Sequence, residues 1–192
     1  MARNTNGSGF SLKDELFNPA KVKGLATELA AAVPGFTAEQ FVAEVCEPFP
    51  QLELKERIAH IADVLERHLD SDFATACQHI VAALPPPLDP TNTDNDFGDF
   101  IYAPYGEFVA RHGTTSAHYQ VALETLRELT MRFSMEYAIR AFINSMPEKT
   151  FDVLTQWAHD PNYHVRRLVS EGTRPLLPWS ARLTPDLKRP PT

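Results

Sequence analysis

Apolar residues recur at helical spacing along the chain, and this periodicity limits the possible folds more than any other feature. The clearest stripe, in residues 53–69, consists of Leu54, Ile58, Ile61, Leu65 and Leu69. Similar spacing predicts helices over 38–48, 53–69, 72–84, 116–130, 133–144, 148–158 and 161–172. No segment alternates apolar and polar residues over a useful strand length. The sequence therefore predicts an all-α fold.

The predicted helices come in pairs with short connectors, which is typical of an α-solenoid. In the last pair, Asp160 is expected to cap the second helix, with Pro161 in its first turn. Val165 and Leu168 would then point inward and leave the neighbouring arginines on or near the concave face. The pattern Asp-Pro-x-x-x-Val-Arg is typical of HEAT-like helical repeats, so we predict a curved α-solenoid of such repeats.

The length of 192 residues suits a single domain. Within residues 1–192 we predict a disordered N-terminus over 1–10, a long Pro- and Asp-rich loop over 85–100, and a tail over 180–192. The four prolines of that loop cannot continue a helix. No apolar run approaches the roughly 18 residues that a membrane span needs.

The first residues lack the apolar core of a signal peptide, and Cys46 and Cys77 have no CxxC partner. A reducing, cytoplasmic location with free thiols is therefore expected. His112 and His118 lie six residues apart across Gly113, and the sequence does not favour a metal site there or elsewhere.

Charge is distributed unevenly along the chain, whose formal net charge is -7. Residues 1–115 contain 8 basic against 17 acidic residues, a balance of -9, and residues 116–192 contain 10 against 8, a balance of +2. This asymmetry indicates an anionic partner for the C-terminal part. Surface charge also drifts along chains without functional cause, and charge alone does not separate the two interpretations.

The C-terminal part contains an unusual stretch, HVRRLVSEGTRPLLPW, at residues 164–179. It sets one glutamate among three arginines, just before Trp179. A glutamate there would repel a phosphate backbone, so it suits a group that faces a cation instead. Arg167 and Glu171 are four residues apart and share a helix face, and Glu136 and Arg140 repeat that spacing on the preceding pair. Two successive repeats would then present one carboxylate each to the same groove.

With LKDELFNPAKV (12–22), LKER (54–57), LTMRFSMEYAIR (129–140) and WAHDPNYHVRRLVSEGTRPLLPW (157–179), the chain resembles the DNA alkylation repair glycosylases of the AlkD/AlkC superfamily, and especially its AlkC branch. The resemblance implies a curved stack of HEAT-like helical pairs. It also implies hydrolysis of the N-glycosidic bond of cationic N-alkylated bases in double-stranded DNA, a step of base excision repair. No metal, organic cofactor or membrane is implied, and a monomer is expected.

Site residues follow from the same resemblance. It implies catalytic roles for Glu171, Glu136 and Trp179. It implies DNA contacts for Arg167, Arg166, Arg174 and Arg140. An N-alkylated base that carries a positive charge is a good leaving group, so the reaction needs no general acid. A carboxylate can stabilise the oxocarbenium charge that builds up on the deoxyribose, and an aromatic face adds cation–π attraction.

A plainer interpretation exists for several of these residues. Glutamate and arginine four residues apart most often form a solvated surface pair, and for Glu136 that interpretation weighs as much as the catalytic one. Trp157 lies in an apolar run and is expected to pack in the core. Phe133, Tyr137 and Phe142 have helical spacing and are also expected to be core residues rather than base-stacking platforms.

Members of that family usually continue past the Leu-Pro-Trp segment with further helical pairs, so the resemblance implies a C-terminally short chain. We expect that segment and the tail to fold back over the outer side of the last pair, 148–172, with residues 188–192 disordered. Two alternatives to the glycosylase stay open: a non-catalytic DNA-binding remnant, and a HEAT-like scaffold for protein interactions.

Overall fold

The computed structural model describes residues 11–91, 97–178 and 180–184, and the regular secondary structure of these ranges is helical. The α-helices are α1 Leu12–Leu16, α2 Pro19–Ala32, α3 Ala38–Cys46, α4 Leu54–His68, α5 Phe73–Ala83, α6 Ala103–Gly113, α7 Tyr119–Thr130, α8 Glu136–Ser145, α9 Pro147–Trp157 and α10 Tyr163–Gly172. Short 3₁₀ turns occupy Phe49–Gln51 and Phe100–Tyr102. The all-α prediction is confirmed. The expected disorder over 1–10 and 188–192 concerns residues outside these ranges.

The helices stack in two layers. The inner layer consists of α4, α6, α8 and α10, each packed on the next. Behind it, α2 packs on α5 and α5 on α7, while α7 and α9 also pack against α10. One inner and one outer helix form each repeat, which is the helical-repeat solenoid that the sequence predicts. None of the helices in the described part of the chain is long and apolar enough to span a membrane.

Three helices, α1, α2 and α6, had no counterpart among the predicted helices. The sequence of α6 contains Pro104, Gly106 and Gly113, which weaken a helical pattern. The structure gives the reason for both glycines. A Cβ on Gly106 would lie 2.4 Å from Met135 Sδ, and one on Gly113 would lie 2.4 Å from Ala122 Cβ. Gly106 and Gly113 therefore allow α6 to pack closely against α7 and α8, although the same two glycines make the helix hard to recognise in the sequence.

The helices α7 and α8 each start three residues later than the periodicity predicts. The helix α8 begins at Glu136 because the backbone before it pairs with the long loop: Gly98 and Phe133 form an isolated β-bridge, and Ser134 N–H donates to Phe97 O at 3.1 Å. The helix α7 begins at Tyr119, after a turn in which its N–H bonds to Thr115 O.

The prediction that Asp160 caps the last helix is wrong. The N-cap of α10 is Asn162, whose side chain accepts from His164 N–H at 2.9 Å. Asp160 instead accepts two hydrogen bonds from the Arg127 guanidinium, at 2.9 and 2.7 Å. The carboxylate thus connects α7 to the turn between α9 and α10, and Pro161 precedes the helix rather than starting it.

The core follows the predicted stripes. Ile61 and Leu65 of α4, and Val165 and Leu168 of α10, are buried. Trp157 is also buried, as expected. The buried apolar side chains form one cluster that includes residues of both layers, so each repeat is stabilised by its neighbours.

Two arginines are buried and bind backbone carbonyls. Arg57 on α4 donates to the carbonyls of Lys13, Phe17 and Phe49. Arg140 on α8 has 0% exposure and donates to the carbonyls of Ala181, Gly172, Arg174 and Pro175. Burial lowers the pKa of the Arg140 guanidinium from its ordinary value. The expectation that Arg140 contacts DNA does not hold for this conformation, because its donors are used inside the fold.

The tail folds back, although on a different side from the one expected. Asn144 of α8 donates to Arg182 O at 3.0 Å and accepts from Thr184 N–H at 3.2 Å. Together with the Arg140 bond to Ala181 O at 2.5 Å, these contacts attach residues 181–184 to α8. The prediction that the tail covers the outer side of the last pair is therefore corrected: its described polar contacts lie on the inner helix of the preceding pair.

Gly98 offers a stability test with a matched control. Its φ is +78°, and a Cβ there would lie 1.7 Å from the backbone oxygen of Arg132. Gly35 has φ +74°, but a Cβ there would meet nothing within 4 Å. Gly35→Ala should cost about 1–2 kcal/mol of unfolding free energy from backbone strain alone. Gly98→Ala should cost on the order of 3 kcal/mol or more, because the carbonyl must also move. Equal urea midpoints for the two variants would contradict this close approach.

Replacement of Arg140 tests its role as a clamp. Arg140→Met keeps much of the side-chain volume but leaves buried carbonyls without donors, which should cost about 2–4 kcal/mol in urea unfolding. Arg57→Met is the matched control, because it removes the same kind of clamp at the other end of the chain. Only Arg140→Met should also speed amide hydrogen exchange in residues 173–184. Equal exchange in that segment for both variants would rule out the clamp.

Candidate functional site

A cavity of about 810 Å³ opens on the inner layer of helices. Residues from α4, α6, α8 and α10 line it, together with residues from the segments 97–100, 133–134, 177–178 and 180–181. Its charged lining residues are Lys55, Glu107, Arg111, Glu136, Arg167 and Glu171. Most of the other lining side chains are apolar, so charges inside the cavity are partly shielded from water. The inner helices thus bring together residues that are more than 100 positions apart in sequence.

Glu136 lies at the first position of α8 and is only 9% exposed. Its Oε1 accepts a hydrogen bond from the Ser134 hydroxyl at 2.7 Å. The same oxygen accepts from Arg167 Nη1, which also donates to Ser134 Oγ. Both contacts to the carboxylate use Oε1, so Ser134 and Arg167 together hold Glu136 at the cavity wall.

Arg167 reaches Glu136 from α10 across the inner layer. Its guanidinium also lies 4.5 Å from the centroid of the Phe97 ring, a cation–π contact. The side chains of Arg167 and Glu136 are 19% and 12% exposed, which makes this a largely buried ion pair. Arg167 and Glu171 share the cavity face as their spacing predicts, but the ion pair of Arg167 is with Glu136.

Glu171 lies near the end of α10 on the same cavity wall. Its Oε2 accepts from Arg174 Nη1 at 2.7 Å. The two side chains are 29% and 58% exposed, so this pair is far more accessible to water than the first. The structure therefore brings both sequence-predicted glutamates to one cavity, each with a different arginine.

The remaining predicted residues are placed differently. Trp179 lies outside the described residues, although Pro178 and Ser180 line the cavity. Arg166 is exposed, and its guanidinium donates to the carbonyls of Asp160 and Pro161 at 2.7 and 2.9 Å. It is therefore directed to the start of α10 and away from the cavity lining.

Sequence reasoning missed the wall that α6 provides. Glu107 accepts from Arg111 Nε at 2.8 Å, and Arg111 also reaches Asp63 at 2.5 Å. Burial alone would lower the pKa of Arg111, but these two carboxylates outweigh it and raise the pKa. The four-residue spacing of Glu107 and Arg111 matched that of the predicted pairs, so this signal was available once α6 was recognised as a helix.

Two of the three aromatics assigned to the core have a double role. Phe133 and Phe142 are buried, but Phe133 and Tyr137 also line the cavity. The Tyr137 hydroxyl donates to Ala103 O, and burial raises its pKa well above the ordinary value. Tyr137 is therefore a fixed neutral donor in the wall rather than an ionisable group.

Ser134 and Phe97 were also missed as site residues. Ser134 lies in the Arg-Phe-Ser segment before α8. Its hydrogen bonds to Glu136 and Arg167, which only the structure shows, identify it as a site residue. Phe97 comes from the long loop and is 44% exposed at the cavity wall. No periodicity links it to α10, so its position depends on the bridge between Gly98 and Phe133.

No group of three or more His, Cys, Asp or Glu side chains is arranged to hold a metal ion within 11–91, 97–178 and 180–184. The cavity instead combines carboxylates, arginines and aromatic rings in a partly dry environment. Such a site can stabilise positive charge that develops on a bound molecule and can hold anionic groups at its rim.

Comparison with known proteins gives two informative matches, while no family model matches the chain. The uncharacterised protein YhaZ of Bacillus subtilis is 28% identical over 179 residues, which cover 93% of this chain and 46% of YhaZ. The solved structure of Pseudomonas fluorescens alkylpurine DNA glycosylase AlkC, bound to DNA containing an abasic site analogue, matches with a TM-score of 0.76.

That structural match has 28% sequence identity and covers 93% of this chain and 48% of AlkC. The chain thus spans about half the length of the proteins that it matches. The similarity extends over nearly all of its own residues. Sequence and structure together support the AlkC-type superfamily as the family of this chain, as the motif at 164–179 predicted.

Proposed function

We propose that this chain is a DNA glycosylase that hydrolyses the N-glycosidic bond of cationic N-alkylated bases in double-stranded DNA. The observation that carries the proposal is the convergence of Glu136 and Glu171 on one cavity of about 810 Å³. The similarity to a DNA-bound AlkC over 93% of the chain supports DNA alkylation repair as the broader role.

The reaction requires two things from the protein: stabilisation of the positive charge that develops on the sugar, and a correctly positioned water molecule. As the bond between C1′ and the base nitrogen breaks, its electron pair goes to the base, which leaves as a neutral molecule. Positive charge builds up on the deoxyribose, and water then adds to C1′ and loses a proton. A carboxylate near the sugar stabilises the charge and accepts or directs that proton.

Glu136 and Glu171 are proposed as these carboxylates. Glu136 is anchored through Oε1 by Ser134 and Arg167, and it lines the cavity. Glu171 is tied only to the exposed Arg174, so a substrate can replace that contact at small cost. Trp179 is proposed as the aromatic face beside the cationic base, on the strength of the sequence resemblance.

Arginines at the rim are proposed to hold the phosphates. Arg174 is the most accessible of those in the motif, with a side chain that is 58% exposed. Arg166 is also exposed, at the start of α10, and Arg167 lies at the cavity wall. Arg140 is not included, because it is buried within the fold. A monomeric state, a cytoplasmic location and action without a metal or cofactor stay predictions.

A second function has one specific observation in its favour. The exposed arginines Arg166 and Arg174 suit phosphate binding without catalysis, so the second candidate is a DNA-binding protein that releases no base. Such a protein would bind DNA in a salt-dependent manner and leave alkylated bases in place. A HEAT-like protein scaffold would show no salt-sensitive affinity for DNA.

Isosteric substitutions test the carboxylates directly. Glu171→Gln keeps the size of the side chain but removes its charge, so base release from alkylated duplex DNA should fall by roughly 10²–10³-fold. Glu136→Gln should cause a loss of similar order. The affinity for DNA should hold or rise slightly for Glu171→Gln. Glu39→Gln, on the exposed face of α3, is the matched control and should release bases at the wild-type rate. Unchanged excision by Glu171→Gln would remove that residue from the mechanism.

A titration of binding against salt separates the alternatives. Arg174→Ala should weaken binding to damaged and undamaged duplexes alike and reduce the slope of log affinity against log salt by about one. Arg67→Ala is the control, because Arg67 is exposed on α4 and lies outside the cavity lining. A loss confined to damaged DNA would mean that Arg174 contacts the base. Salt-insensitive binding by the wild-type chain would favour the scaffold.

A further inference from the structure

The ion pair between Arg167 and Glu136 differs from the other pairs of the cavity in burial and support. Both side chains are mostly shielded from water, and Ser134 hydrogen-bonds to both of them. The exposed ring of Phe97 also contacts the guanidinium. Arg167 therefore contacts both a buried anion and an exposed residue of the cavity wall.

We infer that binding of damaged DNA exchanges the partners of this pair, and that this exchange is what selects cationic lesions. In the exchange, Arg167 moves from Glu136 to a DNA phosphate. Glu136, still held by Ser134, takes the positively charged nucleotide as its new partner. The inference rests on the proposed function, since it assumes that duplex DNA occupies the cavity.

The energetic argument begins with undamaged DNA. A phosphate near the cavity attracts Arg167, but its departure leaves Glu136 as an unpaired, largely buried carboxylate. Leaving one member of a buried ion pair alone is strongly unfavourable. The nearby DNA phosphates also repel the Glu136 carboxylate. The protein therefore keeps the ion pair and binds undamaged DNA weakly.

A cationic base changes this balance. Its positive charge replaces that of Arg167 beside Glu136, so neither carboxylate nor arginine is left without a partner. The site thus discriminates mainly by penalising the neutral base, a common route to specificity. Phe97 supports the exchange because its exposed ring contacts the guanidinium of Arg167 at the cavity wall.

The same geometry explains why Ser134 accompanies the pair. Its hydroxyl accepts from Arg167 and donates to Glu136 Oε1 at 2.7 Å. When Arg167 leaves, the hydrogen bond from Ser134 to Glu136 persists and keeps the carboxylate oriented. Ser134 is therefore a positioning residue that serves both states of the exchange.

The test compares binding to two duplexes that differ only in charge at one base. One contains guanine, and the other contains N7-methylguanine, both on a 2′-fluorinated sugar, which keeps the cationic base attached during the measurement. Wild type should prefer the cationic duplex. Glu136→Gln should raise affinity for the guanine duplex by about 10-fold, because Arg167 no longer leaves a bare carboxylate, and most of the preference should disappear.

Glu171→Gln is the matched control for the loss of one negative charge on the same wall. It should raise affinity for the guanine duplex by only about 2–3-fold, because Arg174 is already accessible. In an Arg167→Ala background, Glu136→Gln should have no larger effect than Glu171→Gln. Thermal unfolding of every variant verifies that the fold is intact, and the Glu→Gln changes are isosteric.

Equal effects of the two Glu→Gln changes, or an effect of Glu136→Gln that persists without Arg167, would overturn the exchange. So would absence of DNA binding by the wild type. The outcome is separable from that of the proposed function. If the Glu136→Gln and Arg167→Ala variants bind the two duplexes as expected while no base is released, the exchange is supported and the proposed catalysis is wrong. If bases are released but the effects of Glu136→Gln and Arg167→Ala on affinity simply add, catalysis is supported and the exchange is wrong.

Discussion

The binding of four backbone carbonyls by Arg140 determines the form of this site. Helix α10 ends at Gly172, and the chain beyond it has to turn back if it is to close the cavity. The Arg140 guanidinium accounts for that turn, because it donates to carbonyls at 172, 174, 175 and 181. It lies one helical turn from Glu136 on α8, so one helix both anchors the returning segment and supplies a carboxylate. A fork of fixed donors suits this task better than a lysine would, because several carbonyls are satisfied at once.

The cavity also needs a wall that the repeat architecture does not supply. The inner helices give much of the lining, and residues of the segment 97–100 add to it where this segment passes against the start of α8. Gly98 makes that approach possible, since its left-handed backbone and missing Cβ let the loop touch the backbone of Arg132. The preceding residue, Phe97, is thereby held against Arg167. An irregular segment of this kind placed by a rigid scaffold is a common source of binding residues.

Periodicity and the family resemblance were enough to predict the all-α fold, most helices, and Glu136 and Glu171 as residues of one site. They failed where tertiary contacts decide. The helix α6 was hidden by glycines that serve its packing, and Asp160 looked like a cap because its partner, Arg127, is 33 residues away. Arg140 looked like a DNA ligand for the same reason: an arginine four residues from a glutamate gives no sign of which way it points. The contact between Phe97 and Arg167 has no local signature at all, because it joins a loop to a helix 70 residues later.

The pairing of charges in the cavity suggests a division of labour between its carboxylates. Glu107, Glu136 and Glu171 each have an arginine partner, so the described wall is close to neutral where they lie. What differs is the cost of separating each pair, which rises as water is excluded. Glu171 and Arg174 are solvated enough to part freely, so Glu171 is ready for a substrate at any time. Glu136 and Arg167 can part only when both gain new partners, so this pair responds to the charge of what is bound. Glu171 can contact any bound DNA, whereas Glu136 separates from Arg167 only when a cationic base is bound. The site can therefore bind undamaged DNA and still present both carboxylates only to a cationic base.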